Sequence, residues 1–335
     1  MKVLFIGAGA VNLSLIGWAD PSRIESYLLA RGAAADMIGS AGMTWWMHDG
    51  TATGTAHPKL IRSLSECSAT DMVVIGVKAY HLRSMAEEVA AAYGRDVVVL
   101  ALQNGIEHLE VLNGVFSRTV YMSVWYNTRK EDSRTVVAVS RGPISIAPGN
   151  VGGASAAAAL AQAFSDQIPV IQTSSALDML RCKLVINLSN SLVSLIALHR
   201  NGTEDPRALQ RILASMLYEG LQVLKAAGVE EVRVPGAPSW LLISLNHRLP
   251  AFLTAPIFKR KLAKMSVSSM AQDLDAHPEN TELEEINGAF VRWADVCRVP
   301  VPVNRAILGL CRKRFGQGFK PMSIKEVAAA LVSAA

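Results

Sequence analysis

The chain opens with a short apolar run that ends in glycines and leads into a second apolar segment. Residues 2–6 are too few for a stable helix and are rich in residues that favour a β-strand. Gly7-Ala-Gly9-Ala10 follows, and residues 11–18 are again mostly apolar. The order of strand, glycine turn and helix is typical of a βαβ unit that binds a dinucleotide. We therefore predict such a unit at the start of the chain.

The glycine turn matches the dinucleotide pattern at two of its three glycine positions. In such a turn the first glycine allows a tight bend, and the second lets the backbone approach a pyrophosphate that the helix N–H groups then face. The third position, which usually permits close helix–strand packing, holds an asparagine. An ordinary turn is the alternative interpretation. The predicted cofactor-binding positions here are Gly7, Gly9, Ala10 and Asn12.

Arg31 follows a second strand-like run, residues 26–30. An acidic residue at this place in a βαβ unit binds the ribose 2′-hydroxyl of NAD, whereas an arginine suits the 2′-phosphate of NADP. The alternative is a solvated surface arginine. The sequence thus favours NADP(H) as the cofactor, with Arg31 as a binding residue.

Composition narrows the class of protein. The chain has 335 residues, of which 50% are hydrophobic and 18% are charged, enough for two globular domains. The net charge is +5, and the basic residues are scattered apart from two clusters, 259–261 and 312–314. No recognition motif accompanies these clusters, which argues against a nucleic-acid partner, while the mild positive charge suits an anionic ligand. The four cysteines show no paired spacing, and the seven histidines form no metal-binding motif.

No signal peptide and no long uninterrupted apolar stretch is visible in the sequence. We expect a cytoplasmic enzyme with a small-molecule substrate, no metal, no membrane partner and, as a further possibility, a homodimeric state.

Short buried-strand patterns alternate with helical patterns up to about residue 172. Residues 72–77 and 97–102 are continuous apolar runs of the kind found in parallel strands, and 81–93 between them has helical composition. Residues 43–47 followed by Asp49-Gly50 indicate a hairpin insertion. Beyond residue 172, helical patterns dominate. The fold class predicted is α/β: an N-terminal Rossmann-type doubly wound sheet (1–172) and a C-terminal, mainly α-helical domain (173–335).

Polar side chains follow two of the predicted strands. Lys78 comes after the strand at 72–77, and Asn104 comes shortly after the one at 97–102. Ligands of open α/β sheets bind beyond the carboxyl ends of the strands, so both residues are candidate ligand contacts beside the glycine turn. The alternatives are an exposed lysine and a turn-forming Asn-Gly pair.

The helical half contains a polar stripe in an otherwise apolar helix. Lys183 and Asn187 are four residues apart and so share one helix face, with Asn190 about one turn further on. Buried amides that join helices are the alternative explanation. Thr281 and Glu284 fit a capping box, which places Glu282 in the first turn of the helix that follows.

In their order and spacing, these motifs resemble the ketopantoate reductase (2-dehydropantoate 2-reductase) family over nearly the whole chain. The matching pieces are Gly7-Ala-Gly9-Ala with Arg31, Val77-Lys78-Ala79, Leu102-Gln-Asn104-Gly105, Lys183 with Asn187, Asn201-Gly202, Ser268-Ser269-Met270 with Gln272-Asp273, Thr281-Glu282 and Ile286-Asn287-Gly288.

The resemblance implies a Rossmann domain that binds NADPH and a helical domain that supplies a catalytic lysine. Lys183 matches that lysine, and Glu282 matches the family's acidic partner. Lys78 and Asn104 match residues that face the nicotinamide and the substrate. The substrate-binding positions carried over from the family are Asn187, Asn201 and Ser269.

Two departures leave alternatives open. Asn12 replaces a glycine, and the segment before Glu282 is one residue longer than the family pattern, so Glu279 or Glu285 is an alternative acidic partner. The resemblance implies reduction of a 2-oxo acid, by default ketopantoate in pantothenate biosynthesis. The alternatives are a related reductase that acts on another carbonyl or imine, and a non-catalytic NADP-binding sensor.

Overall fold

The computed structural model describes residues 1–262, 267–276, 278 and 281–334. Its strands are β1 (Lys2–Ile6), β2 (Glu25–Leu29), β3 (Met43–Met47), β4 (Thr53–Ala56), β5 (Lys59–Ile61), β6 (Met72–Ile75), β7 (Val98–Ala101), β8 (Thr119–Val124), β9 (Thr128–Lys130), β10 (Thr135–Ala138), β11 (Ile144–Pro148) and β12 (Val170–Gln172).

The first helices are α1 (Ala10–Trp18), α2 (Gly32–Ala41), α3 (Leu82–Tyr93), α4 (His108–Val115) and α5 (Ala154–Phe164). The later ones are α6 (Ala176–Asn187), α7 (Ser189–Leu195), α8 (Leu198–Asn201), α9 (Pro206–Ala226), α10 (Trp240–Arg248), α11 (Ala251–Leu262), α12 (Ser269–Ala276), α13 (Ala289–Val296), α14 (Pro302–Arg314) and α15 (Ile324–Ala334). A π-helical turn, Glu284–Gly288, leads into α13.

The chain forms two compact units. The first comprises Met1–Gln103 and Glu107–Leu180, and the second comprises Asn104–Ile106 and Arg181–Ala335. The division falls inside α6, C-terminal to the boundary predicted near residue 172. The short segment after β7 belongs to the second unit, although it is separated in sequence from the rest of that unit.

An eight-stranded sheet forms the centre of the first unit. Its order is β12-β11-β8-β7-β6-β1-β2-β5, and every neighbouring pair is parallel except β8 with β11. All residues of β6 and β7 are buried because helices cover both faces of the sheet. The predicted doubly wound, Rossmann-type sheet is confirmed.

The predicted hairpin is part of a second, four-stranded sheet with the order β4-β3-β10-β9. The strands β3 and β4 pair antiparallel, as predicted, and β10 then pairs parallel with β3. This small sheet contacts α1, and Trp18 of that helix packs edge-to-face against Trp45 of β3 with ring centroids 6.4 Å apart. The packing of this second sheet against α1 explains why that helix is apolar on nearly all sides.

The second unit is helical in its described residues, as predicted. Its core is formed by apolar side chains from the π-helical turn and from most of the helices from α6 onward. The 21-residue helix α9 contacts α7, α10, α11, α14 and α15. Among the described residues, no helix combines the length and the apolar character needed to cross a membrane.

Candidate active site

The glycine turn lies at the carboxyl end of the central strand β1. Gly7 has a φ of +94°, and its N–H donates to Leu29 O of β2 at 3.0 Å. Helix α1 then begins at Ala10 without a side-chain cap and without an acidic residue in its first turn. Uncapped N–H groups at a helix start favour an anion, so the turn fits the pyrophosphate of a dinucleotide.

The side chain of Asn12 stabilises the glycine turn through hydrogen bonds to its backbone carbonyls. This side chain is buried, and Nδ2 donates to Ile6 O at 2.9 Å and to Gly7 O at 2.8 Å. The amide occupies space beside Gly76, where a Cβ would collide with it. A glycine after β6 thus makes room for the asparagine that replaces the third glycine of the motif. Contact between Asn12 and a cofactor stays a prediction.

Arg31 and Lys78 lie on either side of the glycine turn, because β2 and β6 are the two neighbours of β1. Arg31 is exposed at the start of α2, and Lys78 is half-buried shortly after β6. Gln103, to which the sequence assigned no role, is buried and donates from Nε2 to Ile75 O at 2.7 Å and to Val77 O at 2.9 Å. It joins the ends of β6 and β7. The sequence could have identified Gln103 by one feature, a polar residue that closely follows a buried strand.

Asn104 lies at the centre of a hydrogen-bonded group in the second unit. Its Oδ1 accepts from Asn187 Nδ2 at 3.1 Å, and its Nδ2 donates to Glu282 Oε2 at 3.1 Å. Asn187 and Glu282 are both buried. Three side chains far apart in sequence are therefore brought together, and all three are residues that the sequence nominated.

The residue after Asn104 allows this close packing. Gly105 has a φ of +91°, which an L side chain rarely adopts, and a Cβ there would lie 2.8 Å from Glu285 O. The backbone of the Asn104 segment can therefore approach the chain that carries Glu282. This close approach gives the Asn-Gly pair a function beyond turn formation.

Lys183 precedes Asn187 by one helical turn on α6. The side chain is half-buried, and burial of its ammonium group lowers the pKa of Lys183 to about 8. A lysine with this pKa holds a proton at neutral pH and releases it more readily than an ordinary lysine. It is therefore suited to act as a general acid near neutrality.

The predicted capping box is wrong. Glu284 lies in the π-helical turn, and its two carboxylate oxygens accept from Arg312 Nε and Nη2, both at 2.7 Å. The Glu284 carboxylate therefore forms an ion pair with Arg312 of α14 instead of the predicted capping box with Thr281. Glu282 precedes this turn. Of the alternative acidic partners, Glu285 is half-buried and Glu279 lies outside the described residues.

Further polar contacts join the helices around this group. Asn287 Nδ2 donates to Ser191 Oγ at 2.9 Å, and Ser194 Oγ lies 3.2 Å from Ser268 Oγ. The sequence did not assign these contacts, because each joins residues distant in the chain. The remaining nominated residues are Asn190 (half-buried, on α7), Asn201 (exposed, the last residue of α8) and Ser269 (half-buried, the first of α12). The described residues contain no cluster of three or more potential metal ligands.

Comparison with models of known protein families identifies the family of this chain. The family model for ketopantoate reductase PanE/ApbA matches residues 3–151, and the model for its C-terminal domain matches 177–315. The chain belongs to this family. Membership of this family supports the conclusion that the protein is an oxidoreductase that acts on CH–OH groups with a nicotinamide cofactor.

Relatives cover nearly the whole chain. A 2-dehydropantoate 2-reductase of Archaeoglobus fulgidus is 25% identical, over 93% of this chain and 97% of that protein. The PanE/ApbA family ketopantoate reductase of Ralstonia eutropha JMP134 has a TM-score of 0.71 and 25% identity, over 93% and 98% of the two chains. A D-mandelate dehydrogenase, solved with NADH and anilino(oxo)acetate, shares the fold with a TM-score of 0.71 at 19% identity, over 99% and 100%.

Proposed function

We propose that this protein reduces a 2-oxo acid with NADPH, and that Lys183 is the general acid. Ketopantoate is the default substrate, which would place the reaction in pantothenate biosynthesis. The observation that carries the proposal is the position of Lys183. Its pKa is lowered to about 8, and it shares a helix face with Asn187. Asn187 in turn belongs to the hydrogen-bonded group of Asn104 and Glu282.

Each side chain has a definite task in this proposal. The Lys183 ammonium polarises the ketone and gives its proton to the oxygen as the alkoxide develops. NADPH supplies the hydride when it is bound. Glu282 accepts a hydrogen bond from the substrate or from the polar groups around Lys183. Asn104 and Asn187 fix the orientation of the polar groups around Glu282. Asn201 and Ser269 are proposed to bind the rest of the substrate.

The first unit is proposed to hold NADPH. The glycine turn and the uncapped start of α1 would bind the pyrophosphate, and Arg31 would bind the 2′-phosphate. Lys78 would lie beside the nicotinamide end. The uncapped helix start and the two flanking cations support this assignment.

Replacing Arg31 by aspartate is expected to raise the KM for NADPH by roughly 10- to 100-fold and to improve use of NADH, because hydrogen bonds to a charged group contribute about 1.5–3 kcal/mol. Arg95→Asp is the matched control, since Arg95 is exposed and precedes β7, at the amino-terminal ends of the parallel strands and so away from the glycine turn. Steady-state kinetics with both cofactors measure the effect. Equal use of NADPH and NADH by the unmodified protein would contradict the 2′-phosphate role.

A substrate other than ketopantoate is supported by a cavity in the second unit. It has a volume of about 200 Å³, and five aliphatic side chains line it: Val193, Leu198, Leu262, Val267 and Ala271. His199, Gly202, Thr203 and Ser268 complete the lining, so the cavity has a polar side as well as an aliphatic one. Ser268 and Gly202 adjoin the proposed substrate-binding residues Ser269 and Asn201. The Ser268 hydroxyl is already bonded to Ser194 Oγ. An apolar side chain of a 2-oxo acid would fit this cavity.

The test is a substrate panel assayed with NADPH and the purified protein. We expect ketopantoate to be reduced, and a higher kcat/KM for a branched or aromatic 2-oxo acid would favour the second substrate class. Tight NADPH binding without oxidation by any member of the panel would contradict reductase function. That result would instead support a sensor.

A further inference from the structure

We propose that Asn287 is a positioning residue for the reaction, which keeps the side chains of Asn104, Asn187 and Glu282 in place relative to one another. This inference rests on the proposed function. Asn287 lies in the π-helical turn Glu284–Gly288 and belongs to one of the motifs that match the family, yet the proposed function gives it no task. Single π-helical turns are rare and frequently occur at functional sites, so this turn requires a reason.

The side chain of Asn287 binds the junction between α6 and α7. It is 1% exposed, and its Nδ2 donates to Ser191 Oγ at 2.9 Å and to Leu188 O at 3.3 Å. The Ser191 hydroxyl donates to the same carbonyl at 2.9 Å. Leu188 is the single residue between the two helices, and it directly follows Asn187. The amide therefore fixes the backbone from which the Asn187 side chain extends to Asn104.

The same π-helical turn contacts the segment that carries Asn104. A Cβ on Gly105 would lie only 2.8 Å from Glu285 O, so the two backbones approach each other closely. The turn begins two residues after Glu282, and Ile286 N donates to Glu282 O at 3.1 Å. Each member of the hydrogen-bonded group is thus next to a residue that the turn contains or contacts. A displacement of the turn would move all three side chains relative to one another.

Asn304 has the same structural task in a different part of the second unit. It is fully buried on α14, and its Nδ2 donates to Met216 O at 3.0 Å and to Glu219 Oε2 at 2.7 Å. Both partners belong to α9, which carries none of the residues proposed for the reaction. Within the described part of the chain, the Oδ1 atoms of Asn287 and Asn304 are both buried without a hydrogen-bond partner. The two asparagines therefore match in burial and bonding and differ in what they hold.

The test compares Asn287→Leu with the control Asn304→Leu in the full chain, assayed with NADPH and the best substrate of the panel. Leucine keeps the branched shape of asparagine but cannot donate a hydrogen bond. We expect Asn287→Leu to lower kcat by roughly tenfold or more, with an unchanged dissociation constant for NADPH. Asn304→Leu should lower the melting temperature similarly but keep kcat within about twofold of the parent. Ser191→Ala removes only the hydroxyl that accepts from Asn287, so it tests the same contact with less risk to folding, and it should lower kcat by roughly threefold.

Coupling to Glu282 separates positioning from a general loss of stability. If Asn287 acts through Glu282, Asn287→Leu should lower kcat by roughly tenfold in the parent but by less than about twofold in a Glu282→Gln background. The reason is that the arrangement that Asn287 maintains is already lost in that background. Equal losses in the two backgrounds would overturn the proposal, as would an Asn287→Leu variant that keeps the kcat of the parent.

Hydrogen exchange gives a readout that does not depend on turnover. Asn287→Leu should raise the amide exchange rates of residues 104–106, whereas Asn304→Leu should leave them unchanged. Unchanged exchange in the Asn287 variant would also overturn the proposal. A parent protein that reduces no member of the substrate panel would contradict the proposed function instead, and the exchange rates would still decide whether Asn287 holds this segment in place.

Discussion

Replacing Lys183 by methionine is expected to lower kcat by on the order of 10² or more. Methionine fills a similar volume in the half-buried site but cannot polarise the ketone or donate a proton. The lost interaction is made mainly in the transition state, so the affinity for NADPH should change little. Steady-state kinetics and a separate NADPH titration measure the two effects. Lys183→Ala should lower kcat at least as much.

The control for this substitution is Lys225→Met, which removes an exposed lysine from the last turn of α9 in the same unit. It should leave kcat within about twofold of the parent, since surface substitutions are usually near neutral. Turnover that survives in the Lys183 variants would show that the assigned mechanism is wrong.

The pH dependence gives the same prediction an independent readout. The ammonium form of Lys183 is the donor, and its pKa is lowered to about 8, so kcat/KM for reduction should be level below that pH and fall about tenfold per unit above it. The residual activity of Lys183→Met should lack this decline. A profile of the parent enzyme that stays level to pH 10 would exclude Lys183 as the acid.

The central sheet could be predicted because its signals are local. The apolar runs at β6 and β7 are continuous, and the glycine turn follows its strand directly. The pairing of β10 with β3 could not be predicted, because it joins strands about ninety residues apart and no local pattern specifies it. The hairpin itself was visible, but the second sheet that it completes was not.

The active-site group shows the same limit. The four-residue spacing placed Lys183 and Asn187 on one helix face, because helix geometry is local. The contact of Asn104 with Glu282 joins residues 178 positions apart. The place of Asn104 after a predicted strand nominated it as a ligand contact, but only the resemblance to a family nominated Glu282. The prediction of a capping box was wrong for a related reason. Glu284 satisfied the local pattern, but Arg312 from α14 binds its carboxylate in the fold.

Asn12 shows how a departure from a motif is accommodated by a second position. Read alone, an asparagine at the third glycine position weakens the dinucleotide pattern. In the fold its amide bonds the carbonyls of the turn, and Gly76 leaves the space that it needs. The compensating glycine lies after another strand, so the pair becomes visible only once β1 and β6 are known to be neighbours.

Replacing Glu282 by glutamine is expected to lower kcat/KM by roughly 10- to 100-fold, the scale of a hydrogen bond to a charged group. A carboxylate only accepts hydrogen bonds, so it holds the Asn104 Nδ2 on its own side and leaves the Asn104 Oδ1 for Asn187. A glutamine can donate or accept, so it no longer fixes the orientation of Asn104. The substitution therefore removes both a charge and the direction of two hydrogen bonds with almost no change in volume.

The matched control is Glu285→Gln, because Glu285 is half-buried and lies only three residues further on. It removes the same charge from the same segment, yet it should change kcat/KM by less than about threefold if Glu282 is the acidic partner. Kinetics for both variants, with thermal unfolding to confirm folding, separate the two positions. A larger loss for Glu285→Gln than for Glu282→Gln would move the acidic role to Glu285, and the contact with Asn104 would then be structural.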